Sequence, residues 1–188
     1  MTKYKGATIW FTGLSGSGKT TIAIALESML VERYNRVYRL DSDNIRLGIS
    51  KDLGFSERDR RENVRRVGEI TKFFSEAGFI VLSSIISPYR AHRNEVRNLH
   101  ESSNLKFIEV FVDCSLSEAE KRDPKRLYEK ARKGEIKHFT GIDDPYEPPE
   151  KPDIHLKTDM STLEEEIAIV IEYFEYHQII CASRLDED

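Results

Sequence analysis

Short apolar runs alternate along the chain with stretches of helical spacing, and this alternation sets the fold to expect. Ala7–Thr12 (ATIWFT) is an apolar strand that runs directly into glycines. Beyond them Ile22, Leu26, Met29 and Leu30 recur at the spacing of one helix face and predict a helix over Thr21–Arg33. Val37–Leu40 predicts a second strand, ending in Asp41. Val64, Val67, Ile70, Phe74 and Ala77 share one face of a long helix predicted over Arg60–Ala77, with Gly78 as its stop. Phe79–Ser84 is almost continuously apolar, as suits a central parallel strand covered on both faces. Pro88 closes that strand, and Tyr89–Leu99 reads as helix.

In the second half, Phe107–Val112 predicts a fourth strand, followed by a helix from Ser115 to Lys121. The basic, glycine-containing Lys125–Gly141 reads as a helix and then a mobile loop. Ile154–Leu156 is a short last strand. Ser161 with Glu164 reads as a capping box opening an amphipathic C-terminal helix, and the tail ASRLDED is expected to fray. Strands alternating with helices imply a mainly parallel sheet with right-handed crossovers. The 188 residues fit a single α/β domain with its core over about 7–178, without linker or repeat.

Composition narrows the function. A net charge of −4 supplies no global field for nucleic acid or an anionic membrane, so any anion site has to be local. No run approaches the roughly 18 apolar residues of a membrane span. The N-terminal apolar run is a strand leading into a loop, not the core of a signal peptide. Cys114 and Cys181 have no metal-ligand spacing and form no CxxC, which suits a reducing compartment. These features point to a cytoplasmic protein.

The chemistry begins at the glycines. Gly13-Leu14-Ser15-Gly16-Ser17-Gly18-Lys19-Thr20 fits G-x-x-x-x-G-K-[ST] between a strand and a helix, the context a phosphate loop requires. Glycines let backbone N–H groups turn in around a β-phosphate at the positive end of the helix. Lys19 can reach the β- and γ-phosphates, and the Thr20 hydroxyl can ligate Mg²⁺. A chance glycine turn is the alternative, and the two flanking elements argue against it.

Asp41 and Asp43 lie just past the second strand, at the carboxyl end of the sheet where ligands bind. One can hold Mg²⁺ through water while the other orients or deprotonates an acceptor hydroxyl; an Asx turn is the plainer reading. Six arginines follow between positions 46 and 66, most of them the solvated face of a helix. Arg46 and Arg60 differ in flanking Phe55, a set that suits an acceptor with an anionic group and a flat ring.

Seven separated blocks in order resemble adenylylsulfate kinase (APS kinase): TGLSGSGKT, LDSDNIR, KDLGFSERDRRENVRRVGE, ISPYR, FIEVFVD, RDPKRLYEKAR and GEIKHFTGIDDPYEPPEKPD. The resemblance covers about Thr8 to Thr158. It implies a three-layer P-loop nucleoside triphosphate hydrolase-type fold with a five-stranded sheet and a lid over about 125–150. It also implies transfer of the γ-phosphate of ATP, with Mg²⁺, to the 3′-hydroxyl of adenosine 5′-phosphosulfate (APS), forming PAPS for sulfate assimilation, and a homodimer. Gly13 to Thr20 would hold ATP, with Arg122 and the following DPK segment near its adenine. Asp41 would serve Mg²⁺ or act as base, and Asp43 would orient the acceptor ribose. Arg46, Arg60 and Asn63 would bind the phosphosulfate, Phe55 would stack on the adenine of APS, and Ile86 and Ser87 would contact APS. Ser87 is also the position proposed in the family to carry a phosphoserine, although in-line transfer needs none. Lys137 and Phe139 would come from the lid.

Three positions depart from the family's usual pattern. LDGDN reads LDSDN here, with Ser42 in place of glycine. DPKGLY reads DPKRLY, which puts Arg126 near the expected ATP-base pocket, and KGFTG reads KHFTG, with His138 in the lid. A nucleotide-binding module without catalysis would be free to lose Lys19, Thr20, Asp41, Asp43, Arg60 and Asn63, and all are intact. Asp113 can be read as a Walker-B-like metal ligand, but the helix opening in CSLSEAE favours a helix N-terminal turn. Trp10 is expected in the core, and His92, His100, His155 and His177 at the surface or in packing.

Overall fold

The computed structural model describes residues 6–32, 34 and 36–180. Five parallel strands, β1 (Ala7–Thr12), β2 (Val37–Asp41), β3 (Ile80–Ser84), β4 (Lys106–Asp113) and β5 (Ile154–Lys157), lie in the order β2-β3-β1-β4-β5. The helices are α1 (Lys19–Val31), α2 (Ser42–Leu47), α3 (Glu57–Glu76), α4 (Arg90–Glu101), α5 (Leu116–Arg122), α6 (Leu127–Arg132) and α7 (Leu163–Tyr176). This is the parallel α/β sheet expected from the alternation, in the five-stranded, three-layer form the resemblance implies.

Central strand β1 is buried on both faces, which is why its sequence reads as one apolar run. Ile9 and Phe11 face one core with Ile22 and Leu26 of α1 and Val170 and Phe174 of α7. Trp10 faces the other core, with Val64 and Val67 of α3 and Val96 of α4. Thr8 points the same way as Trp10 and remains paired: its hydroxyl meets His100 Nε2 at 2.9 Å and Ser75 Oγ at 2.9 Å. Trp10 and His100 therefore pack as expected. Asp113 does not cap a helix; it pairs with His155 Nε2 at 2.9 Å, and Ser115 caps α5.

Several boundaries moved for local reasons. Helix α1 begins at Lys19, two residues before the apolar period shows, because the phosphate loop itself opens it. Helix α3 begins at Glu57 instead of Arg60, with the Ser56 hydroxyl accepting from Asp59 N–H. The capping box of α7 is Thr162 with Glu165, one residue beyond the expected pair. The short α2 buries only Ile45, too little for a readable period. Arg33, Cys181 and the expected frayed tail lie outside the described residues.

The segment after α6 is held more firmly than a mobile loop. Phe139 is buried edge-on against Tyr128, and the Phe139 and His138 N–H groups donate to Asp143. Further on, Glu147 N–H donates to the Pro88 carbonyl at 2.8 Å. Among the described residues no helix is long and apolar enough to cross a membrane.

Candidate active site

The loop between β1 and α1 turns at Gly16 (φ 75°) and Gly18 (φ 104°), positions open to glycine at little cost. At Gly13 a side chain would collide with the Val112 carbonyl oxygen, 2.2 Å from where its Cβ would stand. The Lys19 ammonium donates to the carbonyls of Gly13 (3.0 Å) and Leu14 (2.6 Å) and to Ser17 Oγ (3.3 Å), clasping the loop from inside. Burial pulls its pKa down to about 8. The first turn of α1 carries no acidic residue and no side-chain cap, so its N–H groups face the cleft for an anion.

Neighbours brace the loop. Tyr128 OH donates to the Ser15 carbonyl at 2.9 Å, and Thr158 Oγ1 to the Ser17 carbonyl at 2.8 Å. Arg122 grips Thr158 through its hydroxyl (3.0 Å) and carbonyl (2.6 Å), so its guanidinium stands beside the loop.

Asp41 accepts two hydrogen bonds, one on each oxygen, and pairs with Arg39 at 3.8 Å. Oδ1 accepts from Asp43 N–H at 3.0 Å and caps α2, while Oδ2 accepts from Thr20 Oγ1 at 3.1 Å. The Asx-type local role and the placement beside the phosphate loop thus coexist in one carboxylate. Asp43 is exposed and ion-pairs with Lys125. Lys125, in the DPK segment expected near adenine, reaches the second carboxylate, a pairing across 82 residues that no local pattern encodes.

On the opposite wall Arg46 and Arg60 both stand over Phe55, at 4.4 and 5.5 Å from the ring centroid. Arg60 is only 6% exposed; its Nε donates to the Phe55 carbonyl (2.9 Å) and its Nη2 to the His138 carbonyl (2.6 Å). Arg46 donates to the Gly54 carbonyl at 3.0 Å. Burial holds both guanidinium pKa values below their usual range, and for Arg46 the charge of Arg60 adds to this. One turn beyond Arg60, Asn63 is buried at the cleft wall, and its Oδ1 has no partner among the described residues; Thr140 Oγ1 is in the same condition. Both fit a cleft built for a polar ligand.

At the end of β3, Ile86 and Ser87 complete this wall. Thr12 Oγ1 donates to the Ile86 carbonyl at 2.7 Å, and Trp10 Nε1 donates to Ser87 Oγ at 3.1 Å. Ser87 is 4% exposed and left-handed, at φ 40°. Phe139 and His138 line the cleft, whereas Lys137 is exposed outside its lining. Arg126 also lies outside it, paired with Glu129, and its side chain caps no helix. The cleft measures about 940 Å³ and runs from the phosphate loop to Phe55 and Phe139. That is near the upper end of the roughly 300–1,000 Å³ usual for ligand sites.

The comparisons agree with this geometry. The family model described as adenylylsulphate kinase matches residues 5–157. The adenylyl-sulfate kinase of Saccharomyces cerevisiae is 56% identical over 178 residues, covering 95% of this chain and 88% of that protein. That of Staphylococcus carnosus is 52% identical over 177 residues, covering 94% and 88%. The structure of the Mycobacterium tuberculosis APS kinase CysC in complex with AMPPNP and APS superposes with a TM-score of 0.88 at 46% identity, over 92% of this chain and 99% of that one. A fold, a phosphate loop and a matching family model over most of the chain lead to one conclusion: this chain belongs to the adenylylsulphate kinase family of ATP-using kinases.

Proposed function

We propose that this chain transfers the γ-phosphate of ATP to the 3′-hydroxyl of APS, giving ADP and PAPS. The observation that carries the reading is the cleft's two unlike ends. A glycine loop clasped by Lys19 faces a wall where Arg46 and Arg60 bracket an aromatic ring. The first suits a triphosphate; the second suits an acceptor that joins an anion to a flat base.

Thr20 Oγ1 and Asp41 Oδ2 adjoin at 3.1 Å, two hard oxygen donors at the mouth of the loop. Among the described residues no three His, Cys, Asp or Glu side chains gather as a cage. Such a sparse set fits Mg²⁺, which keeps water and phosphate oxygens in its shell. When bound there, the ion would draw charge from the β- and γ-phosphate oxygens.

Lys19 exchanges its loop carbonyls for the β- and γ-phosphates, and the N–H groups at the start of α1 hold the β-phosphate. Arg122 stands near the ATP adenine. The 3′-oxygen bonds to the γ-phosphorus as the bond from that phosphorus to the leaving ADP oxygen breaks. The hydroxyl proton passes to Asp43 or Asp41. Arg46, Arg60 and Asn63 bind the phosphosulfate, Phe55 stacks on the APS adenine, and Ile86 and Ser87 fix its position. Trp10 already occupies Ser87 Oγ, which favours a binding role over a phosphoserine. Lys137 and Phe139 act from the lid over about 125–150, closing over both nucleotides to exclude water. The whole works as one kinase domain, in a cytoplasmic homodimer.

ADP release with APS and a panel of other nucleotide acceptors tests the reading. APS should sustain turnover far better than the rest. Turnover with another acceptor and none with APS would overturn it.

A further inference from the structure

Arg93, on α4, is 1% exposed and has three partners for its planar guanidinium. Nε donates to Glu109 Oε1 on β4, Nη1 to the Ser87 carbonyl and Nη2 to the Glu147 carbonyl, each at 2.7 Å. Burying a cation requires a carboxylate, and Glu109 supplies it. The other two bonds go to backbone on both sides of the acceptor wall. Ser87 follows β3; Glu147 lies where the lid segment returns to the body.

Those two places are fastened to each other as well. Glu147 N–H donates to the Pro88 carbonyl at 2.8 Å, and Arg90 N–H to Glu147 Oε2 at 2.8 Å. Tyr146 OH meets Thr12 Oγ1 at 3.0 Å, and that same threonine holds the Ile86 carbonyl. A left-handed serine persists only where its surroundings over-determine it. The rigid fork of an arginine fixes two carbonyls in one plane, which a lysine cannot do.

We infer that Arg93 is a positioning residue for the acceptor: it sets the Ser87 turn and the fixed end of the lid in one frame. It thereby governs the seating of APS and not of ATP. This rests on the reading above that the Ser87 wall receives APS.

Removing Arg93 alone would leave the buried Glu109 carboxylate with the longer Arg97 ion pair at 3.6 Å and endanger the fold. The test therefore pairs Arg93→Met with Glu109→Leu, apolar residues that remove both charges and leave Arg97 its bond to Asp153. A second variant, Arg93→Lys, retains a cation for Glu109 while giving up the shared plane. In both, kcat/KM for APS should fall roughly tenfold or more, as expected for a misplaced reacting group, with the KM for ATP within about twofold of wild type. Hydrogen exchange at the Glu147 amide should accelerate by about tenfold in the double variant, while the Ser17 amide in the phosphate loop stays protected. A purely structural role predicts Arg93→Lys with wild-type APS kinetics, and that result would overturn the inference. So would unchanged exchange at Glu147, or equal losses for ATP and APS. A wild-type enzyme without APS turnover would sink the substrate reading instead, and the exchange measurement would still decide whether Arg93 holds the two segments.

Discussion

The phosphate loop puts glycine at its left-handed positions, Gly16 at φ 75° and Gly18 at φ 104°. The acceptor wall and the lid segment also put Ser87, Arg126 and His138 there, at φ 40°, 54° and 59°, beside Gly134 and Gly141 at 74° and 93°. The two halves of one cleft are therefore made by different means. The donor half is one contiguous loop whose backbone adopts its shape at little conformational cost. The acceptor half is drawn together from distant segments, and its charged groups are latched across them: Arg60 to the His138 carbonyl, Lys125 to Asp43. An anion arriving at the donor side exchanges only the Lys19 clasp. On the acceptor side it has to displace the carbonyls held by Arg60, one of which, that of His138, also ties the lid to α3.

The sharpest break in this comparison is Lys19→Ala. Losing the cation aimed at the transferring phosphate should lower kcat on the order of a thousandfold or more, read in an ADP-release assay. Arg60→Ala should act on the other half. Truncating a buried cation that meets an anion costs about 2 kcal/mol, roughly thirtyfold in KM for APS, with the ATP curve unmoved. An unchanged APS saturation curve would remove Arg60 from the acceptor site.

Next in size is a pH effect confined to the donor half. Lys19 is held at a pKa of about 8 by burial, whereas a phosphate partner keeps it protonated. Free protein therefore loses the proton that the complex needs once pH exceeds that value. Calorimetry should find Mg-ATP binding about tenfold weaker at pH 9 than at pH 7, with protons taken up on binding at pH 9. Flat affinity across that range would mean that the clasp does not desolvate Lys19.

The same contrast explains what could be read before folding. Gly13–Thr20 was legible because its chemistry and its geometry come from eight consecutive residues, and β1 and α1 announce it by their periods. Asp41, Arg46, Phe55 and Arg60 line one cleft, and their grouping was legible because the end of a parallel strand and an arginine–aromatic cluster carry physical meaning by position. Lys125 on Asp43 and Arg93 beneath Ser87 were not legible. Each depends on two segments that only the fold brings together, and a lone basic residue on a helix or loop has no pattern to mark it. The α2 helix escaped for a related reason, burying one apolar side chain.

The smallest effect isolates left-handed backbone from chemistry. Arg126 sits at φ 54° with its side chain 78% exposed, and its described partner is Glu129, which also holds Lys133. Such an exposed ion pair contributes little. Replacing Arg126 with glycine relieves the left-handed penalty and leaves a residue that tolerates the helix N-cap position, at the cost of a more flexible unfolded chain. The balance should favour Arg126→Gly by about 1 kcal/mol, a rise of roughly 2–4 °C in Tm for a chain of this size. Because the side chain lies outside the cleft lining, kcat and both KM values should stay at wild-type levels. A lower Tm would mean that the Arg126 contacts outweigh its backbone strain. A change in the KM for ATP would bring Arg126 into the donor half, where so far only glycine adopts the left-handed turn.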